Sequence, residues 1–398
     1  MIDFVARLVI PNWTKIVMVS LDGLSGLPRR ETGLSELETA RMPNLTALTV
    51  GAECGLLRHV APGITPGSAP GHLGLFGFDP IRFQVGRGVL EALGVDLTLR
   101  AGDVAARGNF CTVDADGLVT DRRAGRISTD ECRRLIDRCQ AIRLPGVDVF
   151  MAPIKEHRFV VVFRGEDLSG HLSETDPQRL GHPPLPLRAL VLEASRTADL
   201  VKTFIAKAGR LLSDEPVANM ILLRGFDRLP TLPQFPEVFG LRAAGIAPHA
   251  LRGLVRLVGM DALEVGATFA ESVATLRAHW SSYDFFLVHY DYTDKAGEDG
   301  DFDRKVASLE GFDAFLPAIQ ALDPDVLVVT GDHSTPSVLK AHGWQPVPVL
   351  ISSRYSSGDP VTAFTERACA SGTLGILPAH HLMPLVMAHA LRLTKFGA

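Results

Sequence analysis

The sequence predicts an α/β protein built on a doubly wound, mostly parallel sheet, with a smaller α/β unit of α+β character inserted into it. Three observations carry this prediction. Short, nearly continuous apolar runs alternate with helical patterns near both ends of the chain, as expected for strands buried on two faces. The middle of the chain is patterned differently, with strands and helices separated by Pro-rich connectors. The length of 398 residues with 46% hydrophobic content is enough for two cores and excludes wholesale disorder.

The first strand is Lys15 to Leu21 (KIVMVSL), which ends in Asp22-Gly23. Next comes Ala61 to Gly77 (APGITPGSAPGHLGLFG), a Gly- and Pro-rich loop that leads through Ser68 into an apolar helical stretch. The glycines of Val85 to Val89 (VGRGV) and the prolines of Arg228 to Pro236 (RLPTLPQFP) read as hinges. They divide the chain into a core, 1–86 with 229–398, and an insert, 87–228. Within the insert, helices are predicted over Thr129 to Ile142 and Ala189 to Leu212. Strands are predicted at Phe159 to Phe163 and Met220 to Leu223, with GHPPLPLR (Gly181 to Arg188) as a connector. The core resumes with strands at Tyr283 to Tyr290, Asp325 to Thr330 and Val347 to Ser352, and a helix over Phe302 to Leu322.

Composition narrows the function classes. Forty Lys and Arg against 45 Asp and Glu leave a formal charge of −5, so no global basic field is available for nucleic acid or an anionic membrane. Five cysteines without a C-x-x-C pair argue against a disulfide framework and against a cysteine zinc site, and a reducing cytoplasm is expected. No apolar run reaches the roughly 18–20 residues of a membrane span, and Asp3 and Arg7 interrupt the N-terminal stretch. The oligomeric state is left open.

In an open parallel sheet, ligands sit beyond the carboxyl ends of strands, so polar residues just after apolar runs are examined first. Asp22 follows the first strand; Asp291, Asp294, Glu298 and Asp299 follow the run ending at Tyr290; Gly331, Asp332 and His333 follow the run ending at Thr330; His342 precedes the last strand. Singly, each has an ordinary explanation as a helix cap or a satisfied core residue. Jointly they read as ligands for two divalent ions, because Asp294 and Glu298 share one helix face at i, i+4 and carboxylates with a few imidazoles suit Mn2+, Mg2+ or Zn2+. Ser68 is either an N-cap or a nucleophile placed among free N–H groups and near a cation. Arg122, Arg123 and Arg126 in DRRAGRI, His157 and Arg158 in EHR, and Arg224 in LLRG are either solvated cations or a clamp for a small anionic substrate.

Taken in order, SLDG, TPGS before HLGLFGFDP, GRGVLEALG, NFCTVD, DRRAGRI, TDKAG with DGD, TGDHSTP and QPVPVL resemble the archaeal-type, cofactor-independent phosphoglycerate mutases of the alkaline phosphatase superfamily. The resemblance runs from about Lys15 to about Leu391. It implies an alkaline-phosphatase-like core with an inserted lid, two divalent ions, no 2,3-bisphosphoglycerate, and a phosphoserine intermediate in exchange between the 3- and 2-hydroxyls of glycerate. Ser68 would be the nucleophile. Asp22, Ser68, Asp332 and His333 would surround one ion, and Asp294, Glu298 and His342 the other. Arg122, Arg126, Arg158 and Arg224, with His157 beside them, would hold a small phosphorylated metabolite. Two positions depart from the family pattern: Glu298 stands where TDEAGHDG has histidine, and Ala69 where GSDTAH has aspartate. An extra carboxylate favours Mn2+ or Mg2+ over Zn2+, with Mn2+ the expected ion. The leading reading is therefore a metal-dependent mutase. A phosphomonoester hydrolase or other phosphotransferase on the same site is the second, and a non-catalytic homologue the third.

Overall fold

The computed structural model describes residues 2–397, apart from the side chains of residues 249 and 250. Two compact units are formed, Met1–Gln84 with Leu232–Ala398, and Val85–Thr231. Their junctions at 84/85 and 231/232 compare with 86/87 and 228/229 expected from the hinge residues. Strands are numbered along the chain: β1 Ile16–Leu21, β2 Glu53–Arg58, β3 Val104–Val113, β4 Val119–Asp121, β5 Val147–Lys155, β6 Arg158–Gly165, β7 Met220–Arg228, β8 Ala243–Ile246, β9 Asp261–Leu263, β10 Phe285–Tyr290, β11 Val326–Gly331, β12 Val347–Ser353 and β13 Gly375–Pro378. Five helices matter below: α1 Ser68–Leu75, α2 Thr129–Cys139, α3 Ser195–Leu212, α4 Tyr292–Asp299 and α5 Phe302–Asp313.

In the core unit, eight strands form a sheet in the order β13-β2-β12-β11-β1-β10-β8-β9. β1, β8, β9, β10 and β11 are mutually parallel, whereas β12 runs antiparallel to β11 and β2. Every residue of β1, β10 and β11 is buried, which explains why these strands read as continuous apolar runs. Leu21 pairs with Tyr290 on one side and Gly331 on the other, so the three central strands end level with one another.

The predicted helix over Phe302 to Leu322 is corrected to two pieces, α5 and a short helix Leu316–Gln320. Pro317 has no N–H to continue the ladder, and its ring clashes with the preceding turn, so the chain restarts there. The predicted start at Ala189 also moves, because Ala189 pairs with Leu172 in an isolated bridge and α3 begins only at Ser195.

The insert unit is an antiparallel sheet, β4-β3-β6-β5 with β7 also paired to β3, backed by α2 and α3. Its own core joins Phe110, Phe159, Phe163 and Phe204 to Leu135, Ile136, Val201 and Leu212 from the two helices. All five cysteines are free and buried. Among the described residues, no helix is long and apolar enough to cross a membrane.

Candidate active site

The level ends of β1 and β11 deliver Asp22 and Asp332 to one rim of the core sheet, since each follows its strand by one residue. His289, one residue before the end of β10, is raised to the same rim beside them. Because β12 runs the other way, its approach segment lies where the parallel strands finish, and this returns His342 to the same place.

Around His333 Nε2 stand three oxygens, each at 3.2 Å: Ser68 Oγ, Asp22 Oδ1 and Asp332 Oδ2. One ring nitrogen satisfies at most one of them. Asp22 Oδ1 and Asp332 Oδ2 are accordingly buried without a hydrogen-bond partner, although burying an unpaired carboxylate oxygen is costly. The second cluster shares the same histidine: Asp294 Oδ1 lies 4.0 Å from His333 Nδ1 and 3.5 Å from His342 Nε2, and the two imidazoles stack with centroids 3.8 Å apart. Within each trio, Asp22–Asp332–His333 and Asp294–His333–His342, one ligand atom per residue lies within 4.8 Å of the others. Glu298 Oε1 reaches to 3.8 Å from His342 Nε2, with its side chain 55% exposed.

Supporting contacts fix the tautomers. His342 Nδ1 lies 3.0 Å from Pro66 O, an acceptor only, so Nδ1 carries the proton and Nε2 faces the carboxylates with a lone pair. His72 Nδ1 likewise donates to Ser68 O at 2.8 Å, leaving Nε2 to accept from Ser20 Oγ at 3.1 Å. Thr335 Oγ1 donates to Asp294 Oδ1 at 2.6 Å and lies 3.0 Å from His333 Nδ1. Two close approaches seat these turns. A Cβ on Gly71 would fall 2.2 Å from Asp332 O, and Gly23, at φ +62°, has no room for one beside Thr335.

The electrostatics point the same way. Burial pushes Asp332 up to about 7, helped by the Asp22 charge and opposed by His333. Burial alone would lower His333, but Asp332, Asp22 and Asp294 lift it to about 9. Burial opposes ionisation of Asp22 as well, yet His289 and His333 hold it well below the usual carboxylate range. Without an ion, the cluster collects protons because it holds more negative charge than its neighbours compensate. Mixed oxygen and imidazole donors with unsatisfied buried oxygens fit divalent cations.

α1 begins at Ser68, with Gly67 as its cap, so the serine side chain is not used for capping and its hydroxyl faces His333. In the insert unit, Arg158 opens β6 and Arg224 lies in β7 opposite Arg107 of β3. Burial, followed by the charge of Arg87, brings Arg107 down to about 10, with Arg158 and Arg224 adding to the effect. Arg107 Nε, Arg158 Nε and His157 Nδ1 are buried and without partners. Burial and the Arg158 charge keep His157 neutral, at about 4. Arg122 is instead held bidentate by buried Asp176 at 2.9 and 2.7 Å, and Asp176 also lies 3.5 Å from Arg224. Arg126 stands exposed on a turn, without a side-chain partner among the described residues.

The family description 2,3-bisphosphoglycerate-independent phosphoglycerate mutase matches residues 50–218. A "Probable 2,3-bisphosphoglycerate-independent phosphoglycerate mutase" of Aquifex aeolicus is 47% identical over 407 aligned residues, which span 100% of both chains. A Thermus thermophilus protein of the same printed name is 48% identical across 97% of this chain and 96% of its own. The chain belongs to the 2,3-bisphosphoglycerate-independent phosphoglycerate mutase family.

Among solved structures, this phosphoglycerate mutase family member is similar to a protein of Pyrococcus horikoshii, with TM-score 0.82 and 29% identity over 98% of this chain and 100% of that one. It is also similar to the cofactor-independent phosphoglycerate mutase of Thermoplasma acidophilum, with TM-score 0.71 and 30% identity over 95% of this chain and 100% of that one. The sequence pattern does not single out three polar residues around the core-unit rim, His72, His289 and Lys305, or, separately within the insert unit, Arg107. His72, His289 and Arg107 are polar side chains inside otherwise buried stretches, whereas Lys305 takes a buried position on a helix whose neighbouring residues are largely exposed; His72 follows Ser68 by four residues on α1. Those signals are present in the sequence but do not by themselves distinguish a site from a satisfied core group.

Proposed function

We propose that the chain interconverts 3-phosphoglycerate and 2-phosphoglycerate through phospho-Ser68, with two divalent ions held at the rim. The reading is carried by one observation: an uncapping serine hydroxyl lies 3.2 Å from an imidazole shared by two ligand trios. Asp22, Ser68, Asp332 and His333 would hold one ion, and Asp294, Glu298 and His342 the other. When bound, such ions lower the pKa of a coordinated hydroxyl and neutralise charge on a transferring phosphoryl group. Mn2+ is the ion the donor set favours, since Glu298 adds an anionic oxygen.

Ser68 Oγ forms the new bond to phosphorus as the bond to one glycerate oxygen breaks; the serine proton is lost and that oxygen gains one. Attack by the other glycerate hydroxyl on phospho-Ser68 reverses these changes and frees the serine. The N–H groups at the start of α1 supply donors for a phosphoryl group on Ser68. Within the insert unit, Arg107 Nε and Arg158 Nε are donors without a partner and suit a small anion. His157, neutral and buried, adds a hydrogen bond without charge. Exclusion of water decides the outcome, because phosphoserine reached by water yields free phosphate. Five reduced cysteines support a cytoplasmic setting.

Incubation of the Mn2+-loaded chain with 3-phosphoglycerate, followed by phosphorus NMR, tests the proposal. Formation of 2-phosphoglycerate is expected. Inorganic phosphate as the sole product would establish a phosphomonoester hydrolase instead, and absence of both products would refute phosphoryl transfer.

A further inference from the structure

Beneath the rim, Lys305 of α5 is fully buried, and its ammonium donates to three backbone carbonyls: Gly23 O and Ser25 O at 2.8 Å and Thr335 O at 2.7 Å. Gly23 and Ser25 belong to the turn that follows Asp22, and Thr335 to the turn that carries Asp332 and His333. Carbonyl oxygens that converge on one point repel one another and share it only with donors or a cation. Ser25 O also accepts from Thr335 N and Ser334 Oγ, so Gly23 O and Thr335 O are the two that depend on Nζ.

With its three N–H groups spent on carbonyls, the ammonium has none to offer a substrate. Its effect is on geometry. The turns it joins are also cross-linked by Gly23 N to Asp332 Oδ1 at 3.2 Å, and the second turn is tied to α4 by Thr335 Oγ1 donating to Asp294 Oδ1. Thr335 O is also where the backbone of α4 packs, since a Cβ on Gly297 would lie 2.2 Å from it. The carboxylates of buried Glu36 and half-buried Glu366, fixed by Ser337 N and by Gly26 N with Ser35 Oγ, balance the charge.

We propose that Lys305 is a positioning residue occupying a built-in monovalent-cation site, and that its ammonium sets the separation of the two ligand-bearing turns as a bound potassium or ammonium ion would. The inference rests on the metal-centre reading above. It concerns ion affinity rather than a chemical step.

Mn2+ binding to the full chain, followed by titration calorimetry and by the Mn2+ magnetic resonance signal, tests it. Lys305→Ala is expected to weaken Mn2+ binding about 10–100-fold. Ammonium chloride is expected to restore most of the loss, and choline chloride at equal ionic strength none of it. Lys305→Met fills the space without charge and is expected to bind weakly whatever the salt. Wild-type affinity in Lys305→Ala, or a loss that neither ammonium nor potassium reverses, overturns the proposal. Should Lys305→Ala not fold, Lys305→Gln decides: a native circular dichroism spectrum with weakened Mn2+ binding supports the proposal, and unchanged binding overturns it. A wild-type chain that binds no Mn2+ would refute the metal centre and this inference with it, and is recognised because the unmodified protein fails.

Discussion

Replacing Ser68 by alanine separates the chemical role of the hydroxyl from its structural one. Structurally the loss is small: Gly67 holds the cap position, and the hydroxyl makes one hydrogen bond, 3.2 Å to His333 Nε2. Deleting one such bond costs about 1 kcal/mol. In a chain of this size that amounts to a melting shift of no more than roughly 2–4 °C. Chemically the loss is large, because Ser68 carries the hydroxyl that meets His333 Nε2 beside Asp22 and Asp332, whereas the other hydroxyl on that ring, Thr335, donates its proton to Asp294. Mutase activity should therefore fall at least about a thousandfold. Intact-mass measurement after incubation with 3-phosphoglycerate should find one added phosphoryl group on the wild-type chain and none on Ser68→Ala. Turnover within tenfold of wild type, or a phosphoryl group still carried by the alanine variant, would refute the covalent route. A melting loss several times larger than estimated would show that the hydroxyl supports the fold instead.

Arg107→Met should raise the KM for phosphoglycerate at least about tenfold with little change in melting, because relief of repulsion from Arg87, Arg158 and Arg224 is offset by loss of the pair with Glu91 at 3.9 Å; a lower melting temperature with unchanged KM would make Arg107 structural. Asp176→Asn should destabilise by about 2–3 kcal/mol at neutral pH by leaving Arg122 half-buried and unpaired. Burial opposes it, yet the Arg122 bond and the Gln178 N–H hold the Asp176 carboxyl below its ordinary value. Its stabilisation is thus complete above about pH 4 and lost as pH falls further, so denaturant titrations should show the gap between wild type and variant closing in acid. Glu298→His should shift ion preference toward Zn2+ in competition binding, since a neutral nitrogen replaces an anionic oxygen beside His342. Saturating Mn2+ at about 100 times its Kd should stabilise the chelator-treated chain by about 2.7 kcal/mol, read as a rise in melting temperature.

The legible part of the site is the part written as local punctuation. An apolar run that ends in Asp-Gly or Gly-Asp-His announces both a buried strand and a polar group at its carboxyl end, and Asp22, Asp332 and His333 are legible on that ground. Residues inside an element carry no such punctuation. His289 sits inside β10 and Lys305 inside α5, and nothing within several residues of either marks it as different from a satisfied core side chain. In the insert, the arginine cluster was read from its charge, but sign and count do not reveal that Asp176 neutralises Arg122 while Arg107 keeps its Nε without a partner. Pro317 marks the break between α5 and the short helix Leu316–Gln320 in the sequence itself, although the helical pattern continues on both sides of it.

By itself, the sequence determined the α/β class, the chemistry of the ligands and the order in which they occur, because burial periodicity and turn residues act over a few neighbouring positions. The tertiary structure decided which groups share a nitrogen, which cations are already paired, and that one lysine joins two turns. Those relations depend on strand register across sequence separations of about 280–310 residues, as between Gly23 and Lys305 or Asp332. No local pattern encodes them.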